Sequence, residues 1–424
     1  MKTARLLSSG ALALSLLAGS VTAAVSPDEA AKLGSSLTLV GAEKAASSDG
    51  AIPAYAGGLT SAPAGFKAGD SMRPDPFASE KPLMVIDGKN VEQYKNQLSA
   101  TTVELARRYP TFRVDVYPTH RSAALPDTVL ENSRKNAVTA QSLEGGTAID
   151  NALPGVPFPI PKSGVEVIWN HITRYRGGSV SRLVTQATPQ QNGSYSMVKL
   201  EEQFMFRDRL KDFDPANPGN VLFYFKQKVT APPRLAGTVL LVHETLDQVK
   251  EPRLAWVYNA GQRRVRRAPQ VAYDGPGTAA DGLRTSDNFD MFSGAPDRYD
   301  WKLVGKREMY IPYNAYKWYF GIEAPEQFMK ITLTRRLSAG SCTASMWWRR
   351  RSSLASATCT ASGAITWTRT PSARACTTPG TRKAICTGPC TWPGCRSMTK
   401  TFPTRPSWRS SISTKTCMAC STTS

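Results

Sequence analysis

Three histidines, His120, His171 and His243, are spread through a chain of 424 residues, and none stands near the partners that imidazole chemistry needs. His243-Glu244 begins like a zinc-protease signature, but the second histidine one helical turn away is missing and the surrounding residues alternate like a strand. His171 falls between apolar helical positions and is expected to be a partly buried structural residue. Gly177-Gly178-Ser179-Val180-Ser181 is not a nucleophile elbow, which needs glycines flanking one serine after a strand. Gly275-Pro276-Gly277 offers no phosphate cradle, because no helix start follows it. Asp281, Asp287, Asp290, Asp297 and Asp300 carry oxygens suited to calcium, yet lack the alternating spacing of a calcium loop and are expected on a solvated loop. The expectation is a protein that is not an enzyme and uses no metal and no cofactor.

The sharpest charge feature is Arg263-Arg264-Val265-Arg266-Arg267. On a strand, Arg264 and Arg266 share one face while Arg263, Val265 and Arg267 share the other. Such an edge discourages strand-to-strand aggregation. It also suits docking to anionic lipid or to an acidic partner.

The formal charge of +20 is misleading, because the last acidic residue is Glu326. Residues 331–424 hold 14 Lys and Arg, no Asp or Glu, and all eight cysteines. Removing those 14 from 53 leaves 39 basic against 33 acidic groups, a charge of +6 for residues 1–330. Lys2 and Arg5, the apolar run 6–17 and the small residues Val21-Thr22-Ala23 have the form of a secretory signal. The apolar run is shorter than the roughly 18 residues that cross a bilayer. Leu17-Ala18-Gly19-Ser20 has Ser20 where a lipid-carrying cysteine would stand. A soluble exported protein is expected after cleavage near Ala23, in the periplasm and peripheral to the outer membrane. Nucleic acid is not an expected partner, since export separates the two and the body is only mildly basic.

The elements that position these residues are clearest at 163–178, SGVEVIWNHITRYRGG. Ser163 and Glu166 have capping-box spacing, Val165, Ile168, Trp169 and Ile172 recur at helical steps, and Gly177-Gly178 is the expected stop. Earlier, a short capped helix is expected at Ser26-Pro27-Asp28-Glu29, a strand at 83–86 and a broken helical stretch over 90–109. Residues 113–162 show little periodicity and read as long connections. After the main helix the period becomes 2. Residues 179–188, 195–207, 221–229, 237–244, 254–258 and 263–268 read as six strands, with hairpin turns at Gln191-Asn192-Gly193-Ser194 and Asn259-Ala260-Gly261-Gln262. A twisted antiparallel meander of this kind curls into a partial barrel. Residues 289–320 add ten aromatic rings as a covering segment.

LTLVGAEKAASSDGAIPAYAGG, the proline-rich approach to SGVEVIWNHITRYRGG, LAWVYNAGQRRVRRAP and SDNFDMFSGAPDRYDWKLVGKREMYIPYNAYKWYFGIEAPEQ resemble the proteobacterial family called domain of unknown function 1329. That family is similar to periplasmic carriers that sort outer-membrane lipoproteins. The resemblance covers residues 24–330 and implies a half-open antiparallel barrel closed by helices around an apolar cavity. The fold expected is therefore α+β and mostly antiparallel β, with a signal at 1–23, an arm and helices over 24–162, the partial barrel over 163–330, and a disordered tail from 331.

The tail has the composition of a shifted reading frame. Read one base earlier, Met346-Trp347-Trp348-Arg349 forces two valines followed by Glu or Ala, and Trp367-Thr368 forces Asp. Residues 342–370 can then read LHRVYVVEATLKPGERHLYGKRRYYLDED, patterned like two strands and resembling the family's missing continuation. The functional expectation is a binder or carrier of an apolar ligand, an acyl chain, lipid or lipoprotein, in a cavity lined by Trp169, Ile172, Phe204, Phe206, Trp256, Tyr258, Phe292 and Trp301. The same rings also suit a plain filled core. The second expectation is an adaptor docking to an outer-membrane or export complex through Arg263, Arg264, Arg266 and Arg267.

Overall fold

The computed structural model describes residues 25–67, 73–189, 194–269, 271, 273, 275–282 and 284–316, and the backbone alone of 339–352, 362–368 and 376–380. The chain runs α1 (Pro27–Ala30), β1 (Met84–Asp87), α2 (Val91–Tyr94), α3 (Ala100–Arg108), β2 (Arg113–Val116), α4 (Asp127–Thr139), β3 (Gln141–Ser142), β4 (Ile149–Asp150) and α5 (Gly164–Ile172). It then forms β5 (Ser179–Pro189), β6 (Tyr195–Phe206), β7 (Val221–Ala231), β8 (Val239–Thr245), β9 (Leu254–Asn259), β10 (Arg264–Arg267), β11 (Tyr299–Pro312), β12 (Ala339–Ser352), β13 (Ser362–Thr368) and β14 (Cys376–Gly380).

β5 to β10 form one six-stranded antiparallel meander in chain order, curled and not closed. This is the arrangement expected from period 2 and short loops. In the turn before β10, Asn259 Oδ1 accepts from the Gln262 N–H at 3.0 Å. Arg263 lies in the turn with φ of 53°, so only Arg264 to Arg267 belong to the strand. Residues 190–193, which hold most of the first expected hairpin turn, lie outside the described residues, as do residues 1–24 and the expected frame junction near Lys330. A second sheet runs β1, β2, β12, β13, β14, with β11 also paired to β12. The tail thus contributes backbone strands where no order was expected, and a backbone course carries no information on reading frame.

α5 begins as its sequence requires, with Ser163 Oγ accepting the Glu166 N–H at 3.3 Å. The reciprocal bond differs from a capping box: the Glu166 carboxylate accepts from Lys162 N, at 2.6 Å. The helix stops at Ile172, five residues before the glycine pair. Arginine side chains end it, because Arg174 Nη1 donates to His171 O at 2.7 Å and Arg176 Nη2 to Ile172 O at 2.6 Å, satisfying carbonyls that the helix leaves open. Its apolar residues bury against the meander in one core cluster. Gly164 is required at its start, since a Cβ there would lie 2.7 Å from the backbone of Lys302 in β11.

α4 was not legible in the sequence. Its buried side is Val129, Ser133, Asn136 and Ala137, half polar, so no apolar stripe marks it. Asn136 Nδ2 donates to Leu153 O at 2.9 Å, and Ser133 Oγ accepts from Val156 N at 2.9 Å, so these side chains are buried by serving the backbone of the following loop.

Candidate functional site

Alternation along the strands divides the meander into two faces. Phe204 of β6, Phe223 and Phe225 of β7, Leu240 and Val242 of β8 and Ala255 of β9 bury with Val167, Ile168, Trp169 and Ile172 of α5. This is the concave face. The expected cavity residues divide accordingly. Trp169, Ile172, Phe204 and Phe292 lie together in its core, with Phe206 and Trp301 packed against it. Trp169 is 1% exposed and its Nε1 donates to Gly146 O at 2.9 Å, so it fills space instead of lining it.

Trp256 and Tyr258 do not belong to this set. Their neighbours Ala255 and Val257 face the core, which turns both rings to the outer face. There Trp256 meets His243 at 4.8 Å between ring centroids, and His243 meets Tyr224 at 4.6 Å. The error came from choosing aromatic type over strand parity. Arg264 to Arg267 form the exposed edge strand, with Arg267 opposite Trp256 and Val265 opposite Tyr258. Arg263 precedes them in the turn, and Arg266 stands opposite the inward Val257 while Arg267 stands opposite the outward Trp256, so the expected docking arginines share one exposed edge but divide between its faces.

The concave face also carries charge that the sequence analysis did not single out. Arg182 Nε donates to Glu202 Oε2 at 2.6 Å, and Gln227 Nε2 donates to Glu202 Oε1 at 2.6 Å. Glu244 pairs with Arg253 at 2.5 Å and accepts from Gln248 Nε2 at 2.5 Å. All of these side chains are buried or nearly so. The signal available in the sequence was their inward parity with Phe204, Phe225 and Val242.

Residues 284–293 cover this surface. Phe289 lies over Phe204 and Phe225, with ring centroids at 6.4 and 5.7 Å. The aspartates of this region are not uniformly solvated. Asp287 and Asp290 are buried, because each is matched: Asp287 accepts from Tyr299 OH at 2.8 Å, and Asp290 receives Arg174 Nη2 at 2.8 and 2.7 Å and Arg176 Nη1 at 3.0 Å. The two arginines hold the Asp290 carboxyl at a pKa of about 2 against the raising effect of burial. His171, buried completely, donates Nε2–H to Asp290 O at 2.9 Å. Burial, with Arg174 adding to it, lowers its pKa to about 3, so it stays neutral. Asp290 and Met291 have φ of 51° and 70°, a conformation side chains avoid unless the surroundings hold it.

Between this cover and the sheet lies a cleft of about 50 Å³, with Phe204, Phe223, Phe225, Leu240 and Val242 as its floor and Gln227, Glu244, Arg253 and Arg284 at its polar side. A second cleft of about 40 Å³ lies near Phe206, Arg174, Arg176 and Arg207. Among the described residues no group of three or more His, Cys, Asp or Glu is placed to hold a metal ion, and no helix is long and apolar enough to cross a membrane.

A family model described as Protein of unknown function (DUF1329) matches residues 85–330. An uncharacterized protein of Pseudomonas aeruginosa is 65% identical over 319 residues, 75% of this chain and 70% of that protein. Among solved structures, a domain described as an outer membrane lipoprotein-sorting protein from Vibrio parahaemolyticus matches 48% of this chain and 66% of its own, at 12% identity and a TM-score of 0.30. A DUF1329 family protein from Desulfovibrio piger matches 45% of this chain and 60% of its own, at 12% identity and a TM-score of 0.28. This chain therefore spans less than two thirds of either solved protein, and superpositions this loose carry no argument about function.

Proposed function

The chain belongs to the DUF1329 family, and from its concave face we propose that it is a periplasmic binder or carrier of an apolar ligand, an acyl chain, a lipid or the acyl part of a lipoprotein, acting without catalysis. The observation that carries this reading is the phenylalanine floor of the cleft, over which Phe289 of residues 284–293 is laid. Burial of a chain on such a floor is favourable by about 25 cal/mol per Å² of apolar surface removed from water. A cleft of about 50 Å³ is too small for an acyl chain. Phe289 therefore acts as a stand-in for the ligand, and binding requires it to leave Phe204 and Phe225. Native mass spectrometry of protein taken from its own periplasm tests this. A bound lipid is expected, and a bare protein that also fails to take up a fluorescent acyl probe would overturn it.

The compartment rests on the signal-like residues 1–23 and is tested by cell fractionation with sequencing of the mature amino terminus. The alternative function, an adaptor for an outer-membrane or export complex, is favoured by one observation: Arg264, Arg266 and Arg267 are exposed and form no ion pair among the described residues. Cross-linking from this edge in cells, with a concave face that takes no probe, would select that reading.

We also propose that the reading frame slips near Lys330. The family match ends at residue 330, which supports the codon argument. A one-base restoration is expected to yield a soluble monomer where the given chain aggregates. A compact, protease-resistant monomer with ordered disulfides between Cys342 and Cys420 in the given chain would refute the slip.

A further inference from the structure

The polar side of the cleft is incompletely satisfied. Gln227 is 5% exposed and its Nε2 is committed to Glu202, which fixes the amide orientation and leaves Oε1 without a hydrogen-bond partner. Arg253 Nε and Arg284 Nε, lining the same cleft, are also buried and unpartnered. Buried polar atoms are nearly always matched by protein, water or ligand, so three such atoms around one cleft mark a place built for a polar group.

Arg284 decides which group. Arg182 has Glu202 and Arg253 has Glu244. Among the described residues Arg284 forms no ion pair, and its hydrogen bonds are long: 3.4 Å to Gln186 Oε1 and 3.5 Å to Thr285 O. Burial lowers its pKa, with Glu202 and Asp287 acting only at a distance to raise it. Both carboxylates are engaged elsewhere, Glu202 by Arg182 and Gln227, and Asp287 by Tyr299 and Thr285. Water would satisfy the unpartnered atoms but brings no counter-charge. A carboxylate brings both acceptors and charge, and suits a guanidinium better than any neutral group.

We propose that this cleft is the head-group end of the ligand site and that Arg284 selects amphiphiles headed by a carboxylate. The chain of such a ligand lies on the floor of Phe204 and Phe225 in place of Phe289, with Arg253 Nε as a second donor to the head, while Gln227 Oε1, itself an acceptor, is met by water and not by the carboxylate. The inference rests on the concave-face site proposed above.

The test compares dansyl-labelled undecanoic acid with its methyl ester on the full-length protein with the frame restored after Lys330, by fluorescence titration at neutral pH. The acid is expected to bind about 10- to 100-fold more tightly, the usual worth of a hydrogen-bonded charge. Arg284→Gln is expected to bring the acid down to the ester without weakening the ester, and Arg284→Lys to retain part of the preference. Equal binding of acid and ester, or equal weakening of both by Arg284→Gln, would overturn the head-group assignment while leaving the apolar site standing. Failure of both probes would overturn the site as well. The acid-against-ester comparison needs no variant, so it decides the matter even where Arg284→Gln does not fold.

Discussion

The two faces of the β5–β10 meander carry similar numbers of rings and charges and use them differently. On the concave face Phe204, Phe223 and Phe225 are buried, and the charges among them, Arg182 with Glu202 and Arg253 with Glu244, are paired. On the outer face Tyr224, His243 and Trp256 are only half-buried, and Leu183 remains 75% exposed. Composition does not separate them. What does is the low dielectric of the covered side, where an unmatched charge is costly, so partners become obligatory there and optional outside. Of the two arginines that line the cleft, Arg253 has Glu244 and Arg284 has no ion pair among the described residues, which makes Arg284 informative, while the unpaired Arg264 and Arg266 are exposed at the edge and ordinary.

The largest contrast should come from the buried anchor of the covering segment. Asp290→Ala leaves Arg174 and Arg176 buried without their carboxylate and is expected to cost about 3 to 5 kcal/mol by urea titration. A loss below about 1 kcal/mol would mean that residues 284–293 are not held by this ion pair. Trp169→Ala removes the largest buried ring and leaves Gly146 O without its donor, and about 3 to 5 kcal/mol is expected here also. A loss near zero would place the ring at an exposed site and dissolve the distinction between a filled core and a ligand surface.

Protonation sharpens the comparison at an intermediate scale. His171 has a folded pKa of about 3, well below its ordinary value of 6.5. Above pH 6.5 both folded and unfolded chains hold it neutral. Below that, only the unfolded chain takes up the proton, so stability falls with pH, by about 2 kcal/mol between pH 7 and 5. Asp290, held at about 2 against an ordinary 3.8, contributes stability that is lost only below pH 3.8, outside this window. His243 is also lowered by burial and adds in the same direction. The slope of stability from pH 7 to 5 should flatten in His171→Gln. An unchanged slope would show that His171 is not buried neutral.

The meander was legible because strand alternation and turn residues agree over some 90 residues, and α5 because cap and stripe coincide. Three features were not legible, each for a physical reason. α4 buries Ser133 and Asn136 through backbone bonds to a loop, which leaves no hydrophobic period. α5 ends at Ile172 on arginine side chains that only the fold brings back to its carbonyls. The polar cleft combines residues from β7, the segment around Arg253 and residues 284–293, a convergence set by topology and not by spacing. Within it, Gln227 and Glu244 sit at inward positions of their strands and could have been singled out by parity alone.

The smallest effect is expected at the edge. Arg264 and Arg266 are exposed and unpaired among the described residues, so the double change Arg264→Ser and Arg266→Ser removes no buried contact and should alter stability by less than about 0.5 kcal/mol. The change should instead appear in solution behaviour, because β10 is the open edge of the meander and its like charges repel a second edge. Sedimentation at rising concentration is expected to show self-association of the double variant at low ionic strength, with acyl-probe binding at the concave face unchanged. If the variant stays monomeric but loses attachment to membranes in fractionated cells, the arginines serve docking instead of protection. If it loses probe binding without unfolding, edge and concave face are one site, and the separation of the two faces fails.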